Sequence, residues 1–468
     1  FIGNFRYMLE MIRPEIQQYF IETNTDGKPF SREERSVVYQ RSKGVLDTVP
    51  FGTQEDVYKA GYEWVNHSLC TKHVNPKTLR VIIGGPDCKK PYNASILNIS
   101  AMSFGSLSKN AILSLNGGAK DGNFAHNTGE GSISDHHLKN GGDLIWQIGT
   151  GYFGCRNLEG NFCPDKFSEN SKLEVVKMIE IKLSQGAKPG HGGILPAEKV
   201  TPEISRIRNV PMGKDVKSPA NHTEFSTPKE LLFFVKKIRD LSEGKPVGFK
   251  LCLGKRREFM SICKAMLETG IKPDFITVDG GEGGTGAAPV EFTNHIGSPG
   301  IDALTFIHNS LNGFGLRRDV KIICTGKISS GYGIIKRLAL GADLTYAARS
   351  MMMALGCIQA LRCNTNDCPV GVATQNPNLM AGLVEEDKRK RVRTFHEHTV
   401  ESAAEILGAM GLVETSELRP WHLMGRVGER KIKNFYEIYH YVEENDFLNQ
   451  VIPAELKYHF ETSNANHF

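Results

Sequence analysis

The chain has 468 residues, 40% of them hydrophobic and 23% charged, a globular composition long enough for one large barrel with additions or for two ordinary domains. Its net charge of +5 (57 basic minus 52 acidic residues) is small and dispersed, which argues against a nucleic-acid partner. No run reaches the roughly 18 uninterrupted apolar residues of a spanning helix; the longest candidate, Ser350 to Leu361, is short and flanked by Arg349 and Arg362. The 48 glycines cluster in loops, as in a protein that brings backbone close to a ligand.

In chain order, residues 1–95 read as a helical and irregular prologue, with Glu10 to Phe20 weakly amphipathic. Residue 1 is Phe rather than Met, so a lost upstream segment could attach the full-length protein to a membrane. A different rhythm then covers 96–412. Short apolar runs at Leu97–Met102, Asn123–Asn127, Leu144–Ile148, Met178–Leu183, Val247–Leu253, Phe275–Val278, Lys321–Cys324 and Asp343–Ala347 alternate with helix-period segments. Continuous apolar runs suit buried parallel strands, and eight such units predict an α/β fold, a (β/α)8 TIM barrel. Helices are expected over Ser108–Asp121, opened by Ser108 as N-cap, and over Thr227–Leu241, Lys255–Thr269, Ile301–Asn312, Ser329–Leu340 and 380–411. Long connections at 150–177 and 185–227, and an insertion at about 350–375, fall at the strand ends where barrels build sites. Residues 413–468 form a C-terminal extension whose tail after 450 reads as polar and loose.

The strand ends carry the chemistry. Gly326 and Lys327 close the seventh run and Ala348 and Arg349 the eighth, the place where such barrels hold a phosphate on backbone N–H groups. Asp279 to Gly286 contains a GxGxxG match. No helical period follows it between Pro289 and Pro299, and it comes after the sixth run rather than the first, so a dinucleotide fold is rejected. Gly283 and Gly284 are instead expected to lie flat against an isoalloxazine ring or substrate. Lys182 and Lys250 interrupt apolar runs, which is costly without an anionic partner such as a reduced flavin. Gln147 can hydrogen-bond the pyrimidine edge of that ring.

Ten cysteines do not resemble a secreted disulfide framework, so a reducing, cytoplasmic setting is expected and the sequons at Asn66, Asn93, Asn98 and Asn221 read as accidental. Cys252, Cys263 and Cys324 read as buried free thiols. Cys357, Cys363 and Cys368, closed by Pro369, read instead as ligands of an Fe–S cluster, with zinc disfavoured for want of a fourth ligand at a usual spacing. Asp135-His136-His137 is read as a coincidence, because adjacent side chains point apart.

Taken together, Ser100–Gly105, Asn127–Gly131, Gln185–Gly190, Gly281–Pro289 and Cys357–Val370 resemble, in family order, the FMN-binding synthase domain of glutamate synthase, in a stand-alone form without a glutaminase domain. The resemblance implies FMN lined by Ala101, Met102 and Ser103, a 3Fe–4S cluster, and Glu130, Lys188 and Arg208 around a 2-oxoglutarate site. It implies reductive amination of a 2-oxo acid with ammonia or an amine, electrons from a ferredoxin or reductase subunit, and a homo-oligomer. His191 and Ile194 stand where the large glutamate synthases generally have Glu and Gln, which puts the substrate in question. A flavin dehydrogenase or oxidase of another amino acid, and an FMN/Fe–S electron-transfer subunit of a membrane complex, are the alternatives.

Overall fold

The computed structural model describes residues 28–45 and 52–468; the Glu10–Phe20 segment lies outside the described residues. Eight parallel strands close a barrel in sequence order: β1 (Leu97–Ile99), β2 (His126–Asn127), β3 (Leu144–Ile148), β4 (Val176–Lys182), β5 (Val247–Leu251), β6 (Phe275–Asp279), β7 (Lys321–Thr325) and β8 (Leu344–Ala347). Each expected run overlaps one of them. The (β/α)8 barrel is therefore the fold.

Alternation along the strands sorts the interior into layers. Ala125, Ile145, Met178, Phe275, Ile323 and Leu344 form an apolar floor, and the hairpin Arg80–Ile83/Tyr92–Ser95 adds Ile83, Tyr92 and Ala94 to it. Two residues further along the strands, Asn127, Gln147, Glu180 and Thr277 make a polar layer that is buried throughout. The barrel thus turns from hydrocarbon to hydrogen bonds within one step of the pleat.

The helices stand where helical periodicity places them. Ser108 caps Lys109–Gly122 by accepting from Ala111 N at 3.2 Å, and Thr227 and Glu230 form a reciprocal capping box on Pro228–Leu241. Glu385–Ala409 packs along Lys109–Gly122. A Cβ on Gly118 would sit 2.6 Å from Val392 Cγ1, so glycine sets the approach of these two helices.

Two expectations are corrected. A short helix, Val290–His295, occupies the stretch between Pro289 and Pro299. It follows the glycine loop only after Pro289 and spans six residues, so its weak signal is a matter of length. The tail is not loose: Ala454–Thr462 is helical, and Lys264 Nζ on the helix Arg256–Thr269 donates to Phe460 O (2.7 Å) and Ser463 O (3.0 Å). Phe460 also stacks on Phe314 at 5.8 Å, a contact distant in sequence that a local reading misses. Between the N- and C-terminal parts of the chain, Glu63–Val65 pairs with Leu423–Gly428, which pairs with Lys431–Asn434.

Candidate active site

At the C-terminal ends of the strands, buried charges converge on Glu130. Lys182, the last residue of β4, places Nζ 2.9 Å from Glu130 Oε1. Burial alone would raise the Glu130 pKa, but Lys182, Lys188 and Arg208 together outweigh it and hold the carboxyl below its ordinary range. The group is an acceptor, not an acid. Added Cβ atoms on Gly149 and Gly193 would each meet a Glu130 carboxylate oxygen at 2.6 Å, so these glycines make room for it.

Arg208 is 4% exposed at the end of the helix Pro202–Arg208. Its guanidinium donates to Phe104 O at 2.9 Å and Ser103 Oγ at 3.3 Å and lies 5.3 Å from the Phe153 ring centroid. Its Nε is buried without a partner among the described residues. Burial lowers its pKa to about 10, opposed by Glu130. Lys188 donates to Gly192 O at 3.0 Å, and burial, with Lys182 alongside, lowers its pKa. Lys182, Lys188 and Arg208 therefore surround one carboxylate.

Below them, Lys250 pairs with Asp279 at 3.0 Å, and Asp279 also accepts from Gly186 N at 3.1 Å. Burial would lower the Lys250 pKa, yet Asp279, Glu180 and Glu130 overcome it and raise it. Both strand lysines thus have carboxylate partners inside the barrel. Gln147, opposite Glu180 in register, donates its amide to that carboxylate at 2.6 Å. Sequence reasoning passed over Glu180, although an acidic residue in the middle of the apolar run at 178–183 was the same signal that picked out Lys182.

The other site residues fall into two groups. Met102 and Ser103 are buried and Ala101 half-buried beside the Asn127–Gly131 turn, where a Cβ on Gly129 would meet Ser103 N at 2.7 Å. Gly129, with φ +65°, needs glycine for its backbone as well. The glycine loop after β6 packs on protein: Gly284 accommodates Arg349, whose Nη2 donates to Glu282 O at 2.7 Å, and Gly286 accommodates Cys363. Gly283 stands near Gly280 O and Ala187 N. Gly326 and the half-buried Ala348 and Arg349 line the ends of β7 and β8, whereas the Lys327 side chain is exposed. Arg349 also lies 5.0 Å from the Phe30 ring centroid.

The residues fit a bound flavin in two respects. Gln147 donates one amide hydrogen to Glu180 while its acceptor oxygen has no hydrogen-bond partner among the described residues, and lysines stand at the strand ends. Burial pushes the Cys357 thiol up to about 12, with Cys363 and Cys368 adding to the rise, and burial with Cys368 alongside raises Cys363 as well. Among the described residues no three His, Cys, Asp or Glu side chains are arranged to hold a single metal ion. Three cysteine thiols are the donor chemistry that iron–sulfur clusters use. Buried Lys199 donates to Cys363 O (2.7 Å), Ala373 O (2.9 Å) and Ser106 O (3.2 Å), fastening this segment to the barrel mouth. Its signal in sequence is too weak to find, because a lysine among polar loop residues looks exposed.

Elsewhere, Cys252, Cys263 and Cys324 are buried free thiols as expected. His136 faces Glu203 while His137 turns inward, so the adjacent histidines do point apart. A cavity of about 880 Å³ lies at the opposite end of the barrel, by Arg317, Asp343 and Tyr441, away from the Glu130 cluster. No helix of the described residues is long and apolar enough to cross a membrane.

Comparison with known proteins agrees with this geometry. The family model described as "Conserved region in glutamate synthase" matches residues 68–413. The chain is 37% identical to the glutamate synthase large subunit-like protein YerD of Bacillus subtilis, covering 94% of this chain and 91% of that protein. It is 33% identical to the archaeal glutamate synthase [NADPH] of Methanocaldococcus jannaschii over 76% of this chain, and 35% identical to the archaeal-type enzyme of Thermotoga neapolitana over 68%. The chain spans 66% and 60% of the lengths of those two enzymes. By the extent of the family match and by the near full-length likeness to the Bacillus protein, the chain belongs to the glutamate synthase family of oxidoreductases.

Proposed function

We propose that the chain reductively aminates a 2-oxo acid, 2-oxoglutarate or a close relative, using bound FMN. The observation that carries this reading is the ring of Lys182, Lys188 and Arg208 around the half-buried Glu130 at the barrel mouth. Lys188 and Arg208 bind the carboxylates of the substrate, each charge-assisted contact being worth roughly 1.5–3 kcal/mol. Glu130, held ionised, accepts the N–H of ammonia or its amine equivalent and orients the nitrogen toward the 2-oxo carbon. Ser103 holds Arg208 in place. FMN, when bound, supplies hydride to the imine carbon.

Ala101, Met102, Ser103, Gln147, Lys182 and Lys250, with Gly283, Gly284, Gly326, Lys327, Ala348 and Arg349, are the residues we assign to the cofactor. Cys357, Cys363 and Cys368 would hold a 3Fe–4S cluster that receives single electrons from a ferredoxin or a reductase subunit. The contact of Cys363 with Gly286 supports that route, because it joins the cysteine segment to the glycine loop.

A second reading differs only in substrate. His191 packs edge-on against Phe292, and Ile194 is half-buried, so this wall is apolar where a dicarboxylate's polar end would gain nothing. A methylated amine or another 2-oxo acid fits that wall better than the large enzymes' substrate pair does.

Anaerobic titration of the purified protein with 2-oxo acids and amines, read by flavin absorbance, tests the proposal. Heat-released cofactor should chromatograph as FMN, and Cys363→Ser should lose iron while keeping FMN. Recovery of FAD or of no flavin overturns the reading.

A further inference from the structure

Glu180 is a carboxylate with no exposure at the centre of the barrel. It accepts from Gln147 Nε2 (2.6 Å) and Asn127 Nδ2 (2.8 Å) on Oε2, and from Thr277 Oγ1 (2.7 Å) on Oε1. These partners sit on β2, β3 and β6, so Glu180 on β4 ties four strands together. Lys250 on β5 feels its charge as well.

A carboxylate offers only lone pairs, so each amide facing it must present its NH2 end and turn its carbonyl oxygen away. Asn127 then has its oxygen free for Gly129 N, which it accepts at 3.0 Å, setting the turn that leads to Glu130. The Gln147 oxygen has no hydrogen-bond partner among the described residues. We infer that Glu180 is a positioning residue: it locks Gln147 with its carbonyl oxygen toward the barrel mouth, so that the ligand bound there must offer an N–H donor. This rests on the FMN reading above, and the donor is then the ring N3–H.

The same geometry says which substitutions matter. Glu180→Gln keeps the lock: its oxygen can still accept from Asn127 and Gln147, while its NH2 donates to Thr277, whose hydroxyl can accept as readily as donate. Glu180→Met removes the acceptor at similar volume, and the Gln147 amide is free to rotate. The measurement is the ratio of dissociation constants for FMN and N3-methyl-FMN, which lacks the donor. The wild type and Glu180→Gln should prefer FMN by about ten-fold or more, and Glu180→Met should lose most of that preference. A preference retained in Glu180→Met would mean that methylation is excluded by size alone, and would overturn the inference.

If Glu180→Met does not fold, Gln147→Glu and Gln147→Lys take its place. A carboxyl at 147 can meet Glu180 only as the protonated acid, which again turns a carbonyl oxygen to the mouth and should keep the preference. A lysine there satisfies Glu180 but offers no acceptor, and should lose it. Equal ratios in the two variants would overturn the inference. Wild-type protein that binds FMN without preferring it would refute the lock and leave the FMN reading standing, whereas failure to bind FMN would remove both.

Discussion

The two ends of the barrel use the same charged residue types with opposite arithmetic. At the floor, Arg239 and Arg317 each face a buried or half-buried aspartate of their own, with Asp87 and Lys321 joining at longer range. Arg239 meets Asp274 at 3.0 Å, Asp274 also accepts from Val247 N at 2.7 Å, and Arg317 meets Asp343 at 2.8 Å. At the mouth, Lys182, Lys188 and Arg208 share Glu130, while Lys250 shares Asp279 and Glu180. That is four cations against three carboxylates, a surplus of one left for a ligand. A buried pair that is complete serves the fold, whereas a set left incomplete stores affinity at the expense of stability.

Acid should break the floor before the mouth, and this is the largest expected effect. Burial lowers the pKa of His126, His308 and His396 to about 3 and of His222 to about 4. Each is depressed below its unfolded value, so its stabilisation is complete above about pH 6.5 and is lost as pH falls toward the folded value, at about 1.4 kcal/mol per unit. Only His222, bonded to Lys182 O, belongs to the mouth. Urea midpoints should fall steeply between pH 6.5 and 4, with a shallower slope in His396→Gln; a flat profile would contradict the burial of these rings.

Next in size is a paired substitution. Asp274→Ala strands a buried Arg239 and should cost about 3–5 kcal/mol, with no recovery on adding 2-oxoglutarate. Glu130→Gln deepens the surplus at the mouth, and its loss should be recovered in large part by 2-oxoglutarate at constant ionic strength. Thermal shifts of the two variants with and without the acid decide the matter, and equal responses would erase the distinction between the ends.

Arg208→Ala should weaken 2-oxo acid binding by about ten-fold or more, measured by flavin absorbance, with little change in melting temperature. The smallest effect belongs to the apolar wall. A buried methyl is worth on the order of 0.8 kcal/mol, so Ile194→Gln should shift preference from methylamine toward ammonia only several-fold. An unmoved ratio would take residue 194 out of the pocket.

Much of this was legible in the sequence. Buried parallel strands announce themselves as apolar runs, and the eight found here follow from residues such as Ile145, Met178 and Ile323 that fill the floor. Lys182 and Lys250 stood out because charge inside such a run needs a partner. Their actual partners, Glu130 and Asp279, could not be assigned, since pairing depends on which strand ends meet in space. The tail helix was missed for the same reason: Phe460 and Lys264 hold it through contacts almost two hundred residues apart. The three cysteines were visible by spacing, but Lys199, which anchors them, looked like any loop lysine.

That lysine has a kinetic meaning. Its three bonds join the loop at Ser106, the cysteine segment at Cys363 and the chain at Ala373, so none of these strips can open alone without stranding a buried ammonium. The segment that would carry electrons and the loop that shapes the substrate pocket are consequently one cooperative unit. Opening at Cys363 is therefore coupled through Lys199 to the loop at Ser106, whose neighbour Ser103 accepts from Arg208.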